Sequence, residues 1–447
     1  MAEPTSTEAR PTRAYVIHPD LGHARTQRRE PEHALAEAVA LAHALPGIEI
    51  VGAEVARLRS PDAGRLFGKG KLAEIRGRLE AVEAELVLVD GPVTPVQQRN
   101  LEKDWDVKLL DRTGLILEIF ADRARTREGV LQVELAALSY QRTRLVRAWT
   151  HLERQRGGLG FVGGPGETQI EADRRAIDEQ MTRLRRQLER VVRTRTLHRA
   201  ARAKVPYPIV ALVGYTNAGK STLFNRLTGA EVLAKDMLFA TLDPTMRGVR
   251  LPGAKGAGGG GQGRRIILSD TVGFISDLPT ELVAAFRATL EEVLEADLIL
   301  HVRDISHPET EEQAADVAEI LESLGVDEDV ELIEVWNKID ALSPETRAAL
   351  RRTDARTEGV QAVSALTGEG LDDLVAAIDA HLSRALDEPR EEAVVVLPFG
   401  DGRRRAWLHE AGVVEREEAG EDGLVLHLRW TARQRAGFEA LEPGAGN

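Results

Sequence analysis

Gly214-Tyr215-Thr216-Asn217-Ala218-Gly219-Lys220-Ser221 is the stretch of this chain best suited to chemistry. The apolar run Ile209 to Val213 leads into it, and Thr222-Leu223-Phe224-Asn225-Arg226-Leu227 continues as a helical pattern. A strand, a glycine-bounded turn and a helix N-terminus form a phosphate cradle. Backbone N–H groups and the positive end of the helix dipole face the anion, and the lysine reaches the terminal phosphates. The pattern alone can be a ligand-free glycine turn, but its place between strand and helix favours the cradle.

Four further clusters follow at strand ends. Asp270-Thr271-Val272-Gly273 can hold the water shell of a Mg²⁺ ion through Asp270 and offer the Gly273 N–H to a γ-phosphate. Thr241, within Phe239-Ala240-Thr241-Leu242-Asp243-Pro244, sits where a switch threonine would complete the metal shell beside Ser221. In Asn337-Lys338-Ile339-Asp340 the Asp340 carboxylate can accept from the N1–H and exocyclic amine of guanine, a pair adenine lacks. Ser364-Ala365 can place a backbone N–H against the guanine oxygen. Each could be a solvated loop by itself. Together they predict a site for GTP or GDP with Mg²⁺, in which Lys220, Thr241 and Gly273 act on the γ-phosphate. Directly after Asp-x-x-Gly, where many GTPases carry a glutamine to orient water, stands Phe274, so slow unassisted hydrolysis is expected.

These residues must be positioned by a chain of 447 residues, long enough for about three domains. Its 43% apolar and 29% charged residues are those of a soluble globular protein. The lack of cysteine excludes disulfides and thiolate metal sites and fits a cytoplasmic location. The N-terminus MAEPTSTEAR has no apolar signal core, and no run approaches the roughly 18 apolar residues of a membrane span. A net charge of −13 argues against an overall basic nucleic-acid binder. Yet Arg183 to Lys204 carries nine basic residues against Glu189 alone, either a polyanion contact or a solvated helix face.

Residues 1–13 are expected to form a disordered tail. Residues 14–114 alternate short β-rich runs with helical patterns and predict a small α/β domain. From Leu115 the period changes. Leu131, Leu135, Leu138, Leu145 and Leu152 fall on one helical face, as do Ile170, Ile177, Met181, Leu184, Leu188 and Val191, which predicts an antiparallel helical hairpin over 115–204. Its Gly-rich loop 157–166 follows the basic Arg142, Arg144, Arg147, Arg154 and Arg156, and can be a connector or a segment that orders on an anionic partner. Residues 205–386 are the nucleotide domain, interrupted by a glycine tract at 253–263, and 387–447 a small α+β domain.

Gly163-Gly164-Pro165-Gly166-Glu167-Thr168-Gln169-Ile170-Glu171-Ala172-Asp173-Arg174-Arg175 resembles the hallmark segment of the HflX family of translational GTPases. Phe67-Gly68-Lys69-Gly70-Lys71, Phe239 to Pro244 and Asp270 to Ile275 resemble that family too, and the likeness covers about residues 14–430. It implies a multidomain α/β protein: an N-terminal α/β domain with a long antiparallel helical hairpin, a Ras-like P-loop GTPase domain and a small C-terminal α+β domain. It also implies a cytoplasmic GTP phosphohydrolase that binds the large ribosomal subunit and dissociates stalled or idle ribosomes, as in a stress response. Hydrolysis would be stimulated by the ribosome. Arg156, Gly157, Gly158, Gly163, Gly164, Arg183 and Arg186 would then be ribosomal RNA contacts. The family's N-terminal domain has been linked to ATP, for which Gly68 to Lys71 is the candidate, and a monomer is expected. Two features depart from the family: the length of the tract 253–263, and Arg303 at a strand end that is usually apolar. Two other readings stay open, a nucleotide-gated binding protein that sequesters subunits and barely turns over, and a signalling switch for a protein partner.

Overall fold

The computed structural model describes residues 10–22, 29–155, 165–202, 207–229, 238–239, 245–251, 264–276, 293–326, 330–354, 357, 359–387, 391–420, 423–439 and 441. The chain divides into two compact units, residues 1–376 and 377–447.

The first unit begins with the predicted β/α alternation. Strands β1 (Thr12–Asp20), β2 (Ile48–Arg57), β3 (Leu86–Val89) and β4 (Lys108–Asp111) lie in the order β2-β1-β3-β4, every pair parallel. A parallel sheet is covered on both faces. Helices α1 (Pro31–His43), α2 (Lys69–Ala81), α3 (Pro95–Trp105) and α4 (Arg112–Arg123) provide the cover. Because side chains alternate along a strand, Ala14 and Val16 pack in the core with Leu41 of α1 and with Ile116, Ile119 and Phe120 of α4. Tyr15 and Ile17 pack with Ile75, Leu101 and Trp105 of α2 and α3.

Two expected boundaries move. β1 starts at Thr12, inside the expected tail, because Thr12 N–H bonds to Gly47 O at 2.8 Å and Arg13 N–H to the Glu85 carboxylate at 3.2 Å. The hairpin does not start at 115. Arg112–Arg123 is a separate helix, N-capped by Asp111, which accepts from Gly114 N–H at 2.8 Å. Its Leu115, Ile116, Ile119 and Phe120 belong to the first sheet's core. The chain then turns at the extended Ala124 before the long helices α5 (Arg127–Gln155) and α6 (Pro165–Arg202). These pack on each other with Met181 and Leu184 buried. Arg142 pairs with Asp178 at 2.6 Å, each thirteen residues from its end of the connector, as in an antiparallel pair. Tyr140 and Arg144 of α5 bind Asp111 at 2.6 and 2.9 Å, which fixes the hairpin to the first sheet.

The second sheet contains β5 (Ile209–Gly214), β6 (Thr245–Arg250), β7 (Arg265–Asp270), β8 (Leu298–Asp304), β9 (Leu332–Asn337) and β10 (Val360–Ala362), in the order β10-β9-β8-β5-β7-β6. Only β6 runs antiparallel. Helices α7 (Lys220–Thr228), α8 (Thr310–Leu324) and α9 (Pro344–Asp354) accompany it, the arrangement of a Ras-like P-loop domain, and α10 (Leu371–Asp387) begins in the first unit and continues into the second. Its apolar core is continuous with that of the first sheet, joined where Phe120 meets Phe239 edge-on at 4.6 Å between ring centres.

In the second unit, β11 (Glu391–Leu397), β12 (Val414–Ala419) and β13 (Leu424–Trp430) form an antiparallel sheet in the order β11-β13-β12. With α11 (Gly402–Glu410) and α12 (Ala432–Glu439) it encloses Leu397, Leu408, Leu426, Leu428, Trp430 and Phe438.

Phe120 is fully buried where the two cores of the first unit meet. Phe120→Ala should cost about 3–5 kcal/mol, as for a large aromatic removed from a core. Urea unfolding would read this as a lower midpoint, and an unchanged midpoint would show that the ring is not part of the shared core.

Candidate functional site

The cradle follows from backbone geometry. Asn217 and Gly219 are left-handed, with φ of 60° and 94°. A Cβ on Gly219 would lie 2.2 Å from the Asn337 amide nitrogen, and one on Gly214 would lie 2.1 Å from Val302 O, so both positions need glycine. α7 opens at Gly219 with no side-chain cap, leaving its first turn facing the loop. Thr216 Oγ1 is buried here with no hydrogen-bond partner among the described residues, an orphan that a polar ligand would satisfy. Lys220 is buried and donates to Gly214 O at 3.0 Å and Tyr215 O at 2.8 Å. Burial pushes its ammonium down to about 8, with Asp270 opposing.

Asp270 ends β7 beside α7, and Ser221 Oγ donates to its Oδ2 at 2.7 Å. Thr271 Oγ1 donates to Leu212 O at 2.6 Å and fixes the turn that follows. Gly273 lies over the cradle. A Cβ there would come within 2.8 Å of Thr216 Cγ2 and 2.9 Å of Lys220 Nζ. The backbone of Phe274 pairs with the cradle, its oxygen accepting from Thr216 N–H at 2.7 Å and its N–H donating to Gly214 O at 3.1 Å. Its ring is buried in the core with Tyr215, Val272 and Ile275.

On the base side, Asn337 ends β9 and is buried. Its Nδ2 donates to Ala218 O at 2.8 Å and its Oδ1 accepts from Ala365 N–H at 2.9 Å. The Ala365 N–H, expected to face the guanine oxygen, is therefore engaged by Asn337 in this structure. Ser364 Oγ donates to Asp340 Oδ1 at 2.5 Å and orients that carboxylate. Lys338 is left-handed at φ 64° and its ammonium meets Asp304 at 2.8 Å.

The structure thus brings together the residues expected at 214–222, 270–273, 337–340 and 364–365. Thr241, Arg156, Gly157, Gly158, Gly163, Gly164 and the tract 253–263 lie outside the described residues. Arg183 and Arg186 are exposed on α6. In the candidate ATP loop, Gly68 precedes α2, and the Lys71 ammonium pairs with Glu54 at 3.0 Å and Glu74 at 3.3 Å. Arg303 is buried and held by Glu311 at 2.6 Å and Glu334 at 2.8 Å, which explains a charge at that strand end. No group of three or more His, Cys, Asp or Glu is placed to hold a metal among the described residues. The Ser221–Asp270 pair is a different donor set, suited to an ion that phosphate oxygens and water also ligate. No helix among the described residues is long and apolar enough to cross a membrane.

The sequence reading missed Glu37, Arg29 and Arg112 of the first sheet's helices and loops. Glu37 accepts from the Tyr215 hydroxyl, and Arg112 reaches Ser276 O at 2.8 Å. Charged residues on helices read as solvated faces, so nothing in the sequence marks them.

Comparison with known proteins gives four family matches along the chain. Residues 32–121 match the family described as GTP-binding GTPase N-terminal, and 123–202 the GTP-binding GTPase middle region. Residues 209–338 match 50S ribosome-binding GTPase, and 349–442 the HflX C-terminal domain. The GTPase HflX of Magnetococcus marinus is 53% identical over 85% of this chain and 84% of that protein. The GTPase HflX of Escherichia coli is 43% identical over 85% of each. A solved structure of a GTP-binding protein from Sulfolobus solfataricus in complex with GDP aligns at a TM-score of 0.44 with 22% identity, over 84% of this chain and 100% of that one.

The lysine supplies a pH test. A phosphate group in the cradle would restore the Lys220 charge, so binding must take up a proton once the free lysine has lost its own. Affinity should hold below the free value of about 8 and fall above it. The limit is about tenfold per pH unit, one proton's worth. Lys220→Arg stays charged throughout and should lose the slope. Titrations of a nucleoside triphosphate across that range check this, and a flat wild-type profile would contradict the buried-lysine account.

Proposed function

The chain belongs to the HflX family of GTPases, and from that premise we propose that it binds the large ribosomal subunit and dissociates stalled or idle ribosomes in a GTP-dependent cycle in the cytoplasm. The observation that carries the nucleotide part is the convergence of four motif clusters at the carboxyl ends of strands β5, β7, β9 and β10 of one sheet. In this reading the backbone of 214–222 cradles the phosphates, and Lys220, Thr241 and Gly273 engage the γ-phosphate. Asp340, oriented by Ser364, selects guanine. Ser221, Thr241 and Asp270 would hold Mg²⁺, and Ser221 and Asp270 already touch each other. The ion would neutralise phosphate charge as it develops. The ribosome part is supported by the match of 209–338 to 50S ribosome-binding GTPase and by Arg183 and Arg186 exposed on the long α6. The loop residues Arg156, Gly157, Gly158, Gly163 and Gly164 complete the proposed RNA contact.

Phe274 also favours a second reading, nucleotide-gated sequestration with little turnover. Its ring is buried and has no polar atom, so it cannot hold an attacking water. Groups supplied in trans accelerate GTPases by about 10³- to 10⁵-fold, which is the scale of stimulation expected from the large subunit. Single-turnover hydrolysis with and without large subunits separates the readings. Stimulation supports the GTPase cycle, no change on adding subunits supports sequestration, and a fast unstimulated rate of about 1 s⁻¹ would contradict both.

Base selection has its own test. Asp340→Asn should weaken GTP by about 2–3 kcal/mol, the scale of charge-assisted pairing, and favour xanthosine triphosphate. Competition titrations measure both. Wild-type protein that bound ATP at the cradle as tightly as GTP would refute the assignment.

A further inference from the structure

A buried polar cluster joins the first sheet's domain to the cradle. The Tyr215 hydroxyl, from the second residue of the cradle, donates to the Glu37 carboxylate on α1 and accepts from Ser276 N–H at 2.8 Å. Burial, reinforced by the Glu37 charge, pushes the phenol far above its usual value, so it remains a donor. Ser276 closes the segment that contains Gly273, and its Oγ donates to Asp316 of α8 at 2.6 Å. Its carbonyl accepts from Arg112 of α4 at 2.8 Å. Arg112 also binds Asp90 at 2.6 Å and pairs with Glu37, and Arg29 bridges Glu37 and Glu309 at 3.1 Å each. His18 on Asp90 and His33 on Glu309 complete the surround. The side chains of Glu37, Arg112 and Asp90 are each under a tenth exposed, so these contacts are not solvent-screened surface pairs.

The Asp270-to-Ser276 segment is therefore tied on both sides of Gly273, before it by Thr271 Oγ1 on Leu212 O and after it by Phe274 and Ser276. Phe274 pairs with the cradle backbone, and Ser276 is held by one hydroxyl and one guanidinium whose partners lie in the other domain. Gly273, immediately before the Phe274 tie, lies beside Lys220 Nζ, where the terminal phosphate is approached.

We propose that Glu37 and Arg112 are positioning residues of the nucleotide site, acting through the Tyr215 hydroxyl and the Ser276 backbone to hold Gly273 over the cradle. The inference rests on the guanine-nucleotide reading of the cradle. It assigns the N-terminal domain a part in telling GTP from GDP, because the γ-phosphate is the group that Gly273 meets. Loosening the segment raises the ordering cost of binding GTP and leaves the contacts of GDP alone.

The test uses the full chain and fluorescent analogues of GDP and of non-hydrolysable GTP. Tyr215→Phe removes one hydroxyl and keeps the ring. Its affinity for the GTP analogue should fall at least about tenfold, since the bonds to Glu37 and from Ser276 N–H are both lost, and by more than its affinity for GDP falls. Glu37→Gln should give the same selective loss. The double variant should be no worse than either single one, since both act through one hydroxyl. Arg112→Lys should retain part of the selectivity that Arg112→Gln loses. Equal weakening of both nucleotides, or a lowered melting temperature with the GTP-to-GDP ratio unchanged, would overturn the inference while leaving the nucleotide reading standing. Wild-type protein that bound neither analogue would overturn that reading and this inference with it.

Discussion

The Asn337 carboxamide donates to Ala218 O in the phosphate cradle and accepts from Ala365 N–H in the base loop, and through it two loops far apart in sequence become one surface. Few side chains fit the role. An aspartate would set an acceptor against the Ala218 carbonyl. A leucine would leave two buried backbone groups unpaired, at about 1–3 kcal/mol each. The amide also dictates its surroundings. It lies where a Cβ of residue 219 would be, so that residue must be glycine, and the left-handed turn this permits starts α7 at Lys220. Asn337 therefore acts on the site by shaping it.

The junction between the two sheets divides its work between apolar and charged contacts. Apolar area supplies the favourable energy, with Phe120 of α4 edge-on to Phe239 inside a continuous core. Phe239 adopts φ of 57°, a conformation that costs about 1–3 kcal/mol for a bulky residue and persists only when its surroundings enforce it. Apolar contact tolerates sliding, whereas the alternating charges of Asp90, Arg112, Glu37, Arg29 and Glu309 do not. Arg112 keeps Asp90 well below the usual carboxylate range although burial works against its charge. Displacing any member would strand a buried ion, which costs several kcal/mol. The cluster thus sets the register in which the cores meet.

Much of this was readable from sequence, and the failures share a cause. Periodicity disclosed the β/α alternation of the first sheet, because a parallel strand must be apolar and short and its crossover helix amphipathic. The nucleotide motifs were readable because each demands a rare residue type at a strand end. The start of the hairpin was not, since Leu115 and Ile119 of α4 have the same one-turn spacing as Leu131 and Leu135 of α5, and no glycine or proline marks the turn at Ala124 between the two helices. Arg303 looked anomalous until its carboxylate partners on α8 and β9 were visible. Glu37 and Arg112 could not be singled out at all. Burial of a charge is a tertiary fact, and a lone Glu or Arg on a helix carries no trace of it.

Phe274 connects the site to the core. A polar residue after Asp-x-x-Gly would aim outward at a ligand; this ring aims inward, among Tyr215, Val272 and Ile275. Its backbone is committed as well, pairing with Gly214 and Thr216. The chain at this point is anchored on the core by a side chain and on the cradle by two hydrogen bonds. Such a segment can present the Gly273 N–H reproducibly, yet Phe274 leaves nothing over to orient water. In the proposed reading, precise phosphate sensing and weak intrinsic hydrolysis are two consequences of a single buried aromatic residue. On that reading, a group that accelerates turnover comes from elsewhere, either from another part of this chain or from the proposed partner.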